Sequence, residues 1–238
     1  MKKLYQTQWH GINFKDFSAC SLSEIATEDF YDKFYNIFFK KFKNYNEIDK
    51  DWVDYKIDIA QYIEDIVKNK NNILSIGCGI GIVEDYLSKQ KVDIRITAIE
   101  PSKDVSKWLI KNPNIDLFDG YFPQCLKKEI FFDFAYANGI DYVFDKEEYL
   151  VFLKSVIDYG INDFLIISSS SYNLKTLLKQ YVKSILEIIG IRKKLNKGQF
   201  WGYLRSAKEQ KQVLLEAGFR KVKITKSDKG AVFIRAKI

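Results

Sequence analysis

From residue 72 onward, short apolar runs alternate along this chain with stretches of helical spacing. Apolar runs predict five strands, at 72–77, 94–99, 114–118, 131–137 and 163–168. The stretches between them predict helices, at about 82–90, 102–111, 123–129 and 145–159. Strands that alternate with helices are typical of a parallel sheet covered on both faces.

The first 70 residues show helical spacing instead. Ser21 and Glu24 form a candidate capping box. The apolar positions of a first helix then recur as Ile25, Phe30, Phe34, Phe38 and Phe42. Those of a second helix, from about residue 50, are Trp52, Tyr55, Ile59, Ile63 and Ile66. We therefore predict a helical cap over 1–70 and a second domain over 71–238.

The end of the chain predicts a hairpin of strands 218–225 and 231–236 around a Ser-Asp-Lys-Gly turn. Its last strand runs antiparallel to the others. The expected fold is therefore α/β, a doubly wound seven-stranded sheet with six parallel strands. A helical insertion is predicted at 172–205, after the fifth strand.

A glycine-rich turn supplies the main chemical signal. The first predicted strand ends in Gly77, Gly79 and Gly81, and the second ends in the carboxylate Glu100. Glycines let the backbone approach a ligand closely, and a carboxylate has acceptors for two ribose hydroxyls. A strand, tight turn, crossover helix and acidic strand end are typical of sites for adenosine-containing ligands. The alternative is a tight turn without function.

Four stretches, in this order and spacing, resemble the class I S-adenosylmethionine-dependent methyltransferases. They are the glycine loop 73–81, the acidic strand end 97–102, the fourth-strand segment 132–143, and the final helix and hairpin entry 205–219. A dinucleotide fingerprint needs glycine at position 82, where Ile82 stands, so the residues favour the methyl donor over NAD. One departure is Ser75, since the family usually carries Asp or Glu there.

The resemblance implies a cofactor site for S-adenosylmethionine, with S-adenosylhomocysteine as product. In it the glycine loop passes under the methionine part, and Glu100 holds the ribose. Asp119 and Gly120, which follow the third strand, then contact adenine. A simple Asp-Gly turn without a ligand also accounts for these two residues. The implied cofactor-binding residues are Gly77, Cys78, Gly79, Gly81, Glu100, Pro101, Asp119, Gly120 and Asn138. No metal site is implied.

Three residues are candidate catalytic groups for methyl transfer to a hydroxyl. Asp141 follows the fourth strand and is the better base on chemistry, but it can also cap a helix. Tyr142 is a poor base unless its pKa is depressed, and it can simply line the pocket. His10, the only histidine, titrates near neutral pH and can fold over the cofactor, or it can be an exposed terminal residue.

The predicted insertion is basic, and its charge is compatible with several kinds of methyl acceptor. Its lysines and the Arg192-Lys193-Lys194 loop suit a lid over a phosphorylated acceptor, an interfacial helix on anionic lipid, or a solvated face. We predict methylation of a small molecule, at the hydroxyl of a sugar or nucleotide sugar in surface-glycan biosynthesis. The serine run 168–171 offers hydroxyls to a polar substrate. Alternatives are a methyltransferase of a lipid or quinone at the membrane surface, and a non-catalytic cofactor-binding partner subunit.

Composition and missing motifs narrow the possible locations, partners and substrates of the protein. Three widely spaced cysteines fit reduced thiols, and no apolar run suits a signal peptide or a spanning helix, so a cytoplasmic location is expected. A net charge of +7 permits anionic partners. No Asn-Pro-Pro-Tyr run follows the fourth strand, no Asp-Asn pair follows the fifth, and no nucleic-acid module is visible. These absences disfavour nucleobase substrates and a metal-dependent catechol-type reaction. The sequence does not predict an oligomeric state.

Overall fold

The computed structural model describes residues 2–91, 93–102, 105–127, 130–171 and 198–238. The strands are β1 (Lys2–Gln6), β2 (Gln8–Trp9), β3 (Ile12–Asn13), β4 (Asn72–Ile76), β5 (Arg95–Glu100), β6 (Ile115–Asp119), β7 (Phe134–Asn138), β8 (Asp163–Ser168), β9 (Gln199–Leu204), β10 (Lys221–Lys226) and β11 (Val232–Lys237). The helices are α1 (Glu28–Lys41), α2 (Lys50–Ile66), α3 (Ile82–Gln90), α4 (Lys146–Asp158) and α5 (Ala207–Ala217).

Seven strands form the central sheet, in the order β10-β11-β8-β7-β4-β5-β6. The pairs from β8 to β6 are parallel, and β11 runs antiparallel to both of its neighbours. This confirms the predicted sheet. The chain turns from one half of the sheet to the other between β4 and β7, where parallel α/β sheets open a crevice for ligands.

Both faces of the sheet are covered. The helices α4 and α5 bury Leu153, Val156 and Leu214 on one face, and α2 and α3 bury Ile63 and Leu87 on the other. Two of these helices begin with the capping boxes Asp145–Glu148 and Ser206–Glu209. Strands β4, β5, β7 and β8 are buried on both faces, and most of their residues are apolar, as is typical of central parallel strands.

The N-terminal segment differs from the predicted all-helical cap. Residues 2–13 form three short strands, and β1 pairs antiparallel with β9. The first long helix begins at Glu28 rather than after Ser21, because Ile25 is extended and bridges Phe200. The predicted Ser21 cap exists only in part, since Ser21 Oγ accepts the N–H of Glu24 at 3.0 Å outside any helix. The division at residue 70 stays a prediction.

Other predicted helices also change. The described part of 102–111 forms turns with i→i−3 bonds, such as Leu109 N–H to Ser106 O at 2.8 Å, and no α-helix. The described part of 123–129 is likewise a turn, beginning at Pro123, which has no N–H to donate. Within the predicted insertion 172–205, residues 199–204 are strand β9, and 172–197 lie outside the described residues.

Candidate active site

The loop between β4 and α3 is shaped by its glycines. Gly77 and Gly81 have φ values of +73° and +81°, which side chains rarely adopt. A Cβ on Gly81 would lie 2.2 Å from Leu109 Cδ1, and one on Gly77 would lie 2.5 Å from Ile140 Cγ2. At Gly79 the nearest atom to an added Cβ is Tyr35 Oη at 4.0 Å. The first and last glycines therefore pack against protein, whereas the middle one leaves open space.

Glu100, at the end of β5, lies against this loop. Its Oε2 accepts the N–H of Gly79 at 2.9 Å, and its Oε1 accepts the N–H of Ser102 at 3.1 Å. Burial raises the pKa of the Glu100 carboxyl to about 7, although both N–H groups favour the charged form. The two predicted elements of the cofactor site are thus joined by hydrogen bonds.

A second carboxylate, which the sequence analysis did not single out, lies beneath the loop. Glu84, in the first turn of α3, is fully buried, and its Oε1 accepts hydrogen bonds from the hydroxyls of Ser75 and Tyr136, both at 2.6 Å. Its Oε2 has no partner among the described residues. Burial raises the pKa of Glu84. In the sequence, only its position one turn after Gly81 indicated that Glu84 would lie near the glycine loop.

A cavity of about 1100 Å³ opens at the crevice between β4 and β7. The glycine loop, Glu100, Pro101, Gly120 and Asn138 line it, whereas the exposed Asp119 does not. Much of the remaining wall is aromatic, including Trp9, Tyr31, Tyr35, Phe38, Trp52, Tyr142 and Trp201. The N-terminal strands and α1 supply several of these rings, so the N-terminal segment does fold over the site.

Asp141 does not line this cavity. Its side chain is buried and accepts hydrogen bonds from the hydroxyls of Ser168 and Ser170, the N–H of Ser169 and the amide of Gln210. Because its oxygens are occupied by these donors and the residue does not line the cavity, the geometry does not favour Asp141 as the base. It also shows that two hydroxyls of the predicted substrate-binding serine run point to Asp141.

Tyr142 lines the cavity as a neutral hydroxyl. Its OH lies 2.9 Å from the OH of Tyr31, and its ring stacks on Trp201 at 5.9 Å. Burial raises the pKa of Tyr142 to about 12, which disfavours a role as base.

His10 also lines the cavity, packed against Trp9, Phe38, Phe42 and Trp52. It adopts a φ of +50°, and its Nε2 is buried with no partner among the described residues. Burial lowers the pKa of His10 to about 4, so the ring is neutral at pH 7.

Lys56 is a site residue that the sequence analysis missed. It lines the cavity from α2, and its Nζ donates to Asn138 Oδ1 at 3.1 Å. Burial lowers the pKa of Lys56 to about 8. The signal was present, because Lys56 follows Trp52 by four residues and precedes Ile59 by three, which places a lysine on the buried face of the helix.

Among the described residues, no helix is long and apolar enough to cross a membrane. In the same part of the chain, no three His, Cys, Asp or Glu side chains are grouped so as to hold a metal ion.

The solved structures that resemble this chain include methyltransferases. A structure of PigF with SAH matches 89% of this chain and 58% of its own length at 14% identity (TM-score 0.59). Human N-acetylserotonin methyltransferase in complex with SAM matches 84% and 58% at 14% identity (TM-score 0.54). A putative O-methyltransferase from Nostoc punctiforme matches 94% and 66% at 11% identity (TM-score 0.61). No family model and no curated protein matches the sequence.

These likenesses define the fold. The chain has the class I S-adenosylmethionine-dependent methyltransferase fold, as its sheet order and glycine loop indicated. It spans less than two thirds of the length of each of the three structures. At 11–14% identity the likeness extends to the fold and no further.

Proposed function

We propose that this chain is an S-adenosylmethionine-dependent methyltransferase that acts on a hydroxyl of a small molecule. The observation that carries the proposal is the Gly79–Glu100 hydrogen bond of 2.9 Å, which joins the glycine loop and the acidic strand end in the wall of the cavity. The open space at Gly79 admits a ligand close to the backbone. The residues present therefore fit a nucleoside that carries an amino-acid tail.

The cofactor would supply a sulfonium methyl group as electrophile. Around it, Gly77 and Gly79 allow close backbone approach, and Glu100 offers acceptor oxygens to the ribose hydroxyls. The aromatic wall of the cavity excludes water and holds the acceptor in line, which is the main requirement for a displacement at carbon. The neutral His10 lines the cavity and is our candidate to accept a proton from the acceptor hydroxyl, whereas Asp141 does not line it.

The aromatic side chains that line the cavity also indicate which kind of acceptor fits it. Trp9, Trp52 and Trp201 favour a flat, apolar acceptor, because aromatic side chains bury large apolar area and stack on rings. The sugar or nucleotide-sugar acceptor stays a prediction, since the basic insertion that supports it lies mostly outside the described residues. An apolar acceptor is compatible with the lipid or quinone alternative.

Calorimetry with S-adenosylhomocysteine tests the cofactor site. We expect the wild-type chain to bind, and Glu100→Ala to bind at least about 10-fold more weakly, because a hydrogen bond to a charged group contributes about 1.5–3 kcal/mol. Glu216→Ala is the matched control, since that carboxylate lies outside the cavity lining beside Lys146. Absence of any binding by the wild type would refute the proposal.

Thermal-shift assays with S-adenosylhomocysteine present test the acceptor. Flat phenols and quinols should raise the melting temperature further, whereas nucleotide sugars should not. Stabilisation by nucleotide sugars alone would support the sugar or nucleotide-sugar acceptor instead. Salt-sensitive flotation with anionic vesicles would favour the membrane-surface alternative. Cofactor binding without turnover, in a stable hetero-complex, would favour the partner-subunit alternative.

A further inference from the structure

Lys56 is a cation in the cavity without an anionic partner. Its Nζ donates to the neutral amide oxygen of Asn138, and no described carboxylate lies within 4.0 Å of it. Among the described residues that line the cavity, it is the only lysine or arginine. Lys56 Nζ also lies over the ring of Trp52, 5.4 Å from its centroid, a cation–π contact that leaves the charge without an anion. Charged side chains that leave water are generally paired with an opposite charge, so a ligand that supplies an anion completes the arrangement.

The position of the ammonium group is defined by the sheet. Asn138 follows Ala137, which is paired with Ile76 in the parallel register of β7 and β4, and Gly77 follows Ile76. Neighbouring strands lie about 4.8 Å apart, so Asn138 and Gly77 lie side by side at the carboxyl ends of β7 and β4. Lys56 therefore reaches the cavity next to the glycine loop, and on the far side of that loop from the third strand end at Gly120.

Few other charges act on Lys56. Glu84 is the acidic group whose field favours the charged ammonium, but neither of its oxygens lies within 4.0 Å of Lys56 Nζ. His10, which also lines the cavity, is neutral at pH 7 because its pKa is lowered to about 4. Neither group neutralises Lys56 directly. Burial therefore dominates and lowers the pKa of Lys56 to about 8.

We propose that Lys56 binds the α-carboxylate of the amino-acid part of the cofactor. The proposal rests on the proposed function, in which the glycine loop lies under that same part of the ligand. An ammonium donating to a carboxylate forms a charge-assisted hydrogen bond, roughly twice as strong as a neutral one. Asn138 then acts as a positioning residue, since its Oδ1 accepts a hydrogen bond from the Lys56 ammonium at the carboxyl end of β7.

Two ligands separate this role from general effects on the site. S-adenosylhomocysteine carries the α-carboxylate, whereas 5′-methylthioadenosine has the same nucleoside and sulfur without the amino-acid part. We expect Lys56→Met to weaken binding of S-adenosylhomocysteine by at least about 10-fold in calorimetry. Affinity for 5′-methylthioadenosine should stay within about twofold of wild type. Lys56→Arg should retain part of the affinity for S-adenosylhomocysteine, because it keeps the charge.

Lys50→Met is the matched control, since Lys50 lies on the same helix and pairs with Asp54 at the surface. It should change neither affinity. Equal loss of both ligands in Lys56→Met, or no loss of either, would overturn the assignment, and the latter would point to an anionic acceptor as the partner of Lys56. If Lys56→Met does not fold, Lys56→Gln replaces it in the same comparison. Failure of the wild type to bind both ligands would instead refute the proposed function.

Discussion

The hydroxyl of Ser75 donates a 2.6 Å hydrogen bond to Oε1 of Glu84, nine residues further along the chain. Ser75 occupies the place where the methyltransferases that this chain resembles usually carry a carboxylate. The fold thus retains a buried carboxylate at this place, but it comes from α3 rather than from β4. Tyr136, on the neighbouring strand β7, donates to the same oxygen and fixes the side chain.

This relationship predicts that an acidic residue cannot simply be restored at position 75. Ser75→Asp would place a second carboxylate beside Glu84 in a site with no exposed surface. Two like charges in such a site destabilise the folded state. We expect Ser75→Asp to lower the free energy of unfolding by about 2 kcal/mol more than Ser75→Asn, which adds the same volume without the charge. Urea denaturation at pH 7.5 measures the difference.

The double variant Ser75→Asp/Glu84→Gln provides the rescue. It leaves one carboxylate in the site, together with an amide that can donate to it, so most of the difference from Ser75→Asn should disappear. Equal stability of the Asp and Asn variants, or no recovery in the double variant, would show that Glu84 does not act as the charged partner.

A second prediction concerns the pH dependence contributed by His10. The pKa of His10 is about 4 in the folded chain and 6.5 in the unfolded one, so unfolding takes up a proton between these values. Stability from the neutral ring is therefore complete above pH 6.5 and is lost as pH falls toward 4. Asp49 opposes the shift, whereas Lys41 and Lys56 add to it. After allowance for solvent screening at the partly exposed ring, we expect a loss of about 2 kcal/mol.

His10→Asn isolates this contribution, because Asn accepts the left-handed backbone at this position better than most residues. The difference in unfolding free energy between wild type and His10→Asn should shrink by that amount between pH 7 and pH 4. Glu100 titrates in the opposite sense, but it is present in both proteins and cancels. A difference that is independent of pH would contradict the buried, neutral state of His10.

A third prediction separates a structural from a catalytic role for Asp141. Asp141→Ala removes an acceptor from four donors, and buried donors without partners are costly. We expect a loss of about 3 kcal/mol in unfolding free energy. Asp141→Asn should lose less, because Gln210 Oε1 has no partner among the described residues and can turn to accept from the new amide. Calorimetry should show S-adenosylhomocysteine affinity within about threefold of wild type.

The opposite pattern of stability and activity would indicate a catalytic role for Asp141. That pattern is unchanged stability in Asp141→Ala together with loss of methyl transfer, once an acceptor is known. Retained cofactor affinity in both proteins is the internal control for folding.

The sheet was predictable because its signals are local. Each central strand is mostly apolar, the glycines follow the end of β4, and Glu100 is the last residue of β5. The same locality explains the errors in the N-terminal segment. Strand β1 exists only through its pairing with β9, almost two hundred residues away, and a short polar segment such as 2–6 carries no period that reveals a distant partner.

The candidate site was predictable on its cofactor side and less so on its acceptor side. Asp141 and Tyr142 follow β7 as expected, yet their roles depend on partners from other elements, namely Gln210 in α5 and Tyr31 in α1. Lys56 and Glu84 could have been suspected as charged residues at buried helical positions. Spacing along the chain does not show whether such a residue faces a cavity or a neutralising partner.

The glycine loop offers a last prediction, because its glycines serve different purposes. Gly81→Ala adds a Cβ at 2.2 Å from the buried Leu109 and keeps a strained φ, so it should lower unfolding free energy by about 2–3 kcal/mol. Gly79→Ala meets only Tyr35 Oη at 4.0 Å, so it should lose about 1 kcal/mol from strain alone. Its methyl group instead enters the space proposed for the cofactor, and S-adenosylhomocysteine should bind at least about 10-fold more weakly.

Gly160→Ala is the matched control for strain. Its φ is +94°, an added Cβ meets no atom within 4 Å, and the residue does not line the cavity. It should resemble Gly79→Ala in urea denaturation and wild type in calorimetry. If Gly79→Ala binds S-adenosylhomocysteine as tightly as Gly160→Ala does, the ligand does not lie against the middle of the loop, because an added methyl group there leaves no room for close approach.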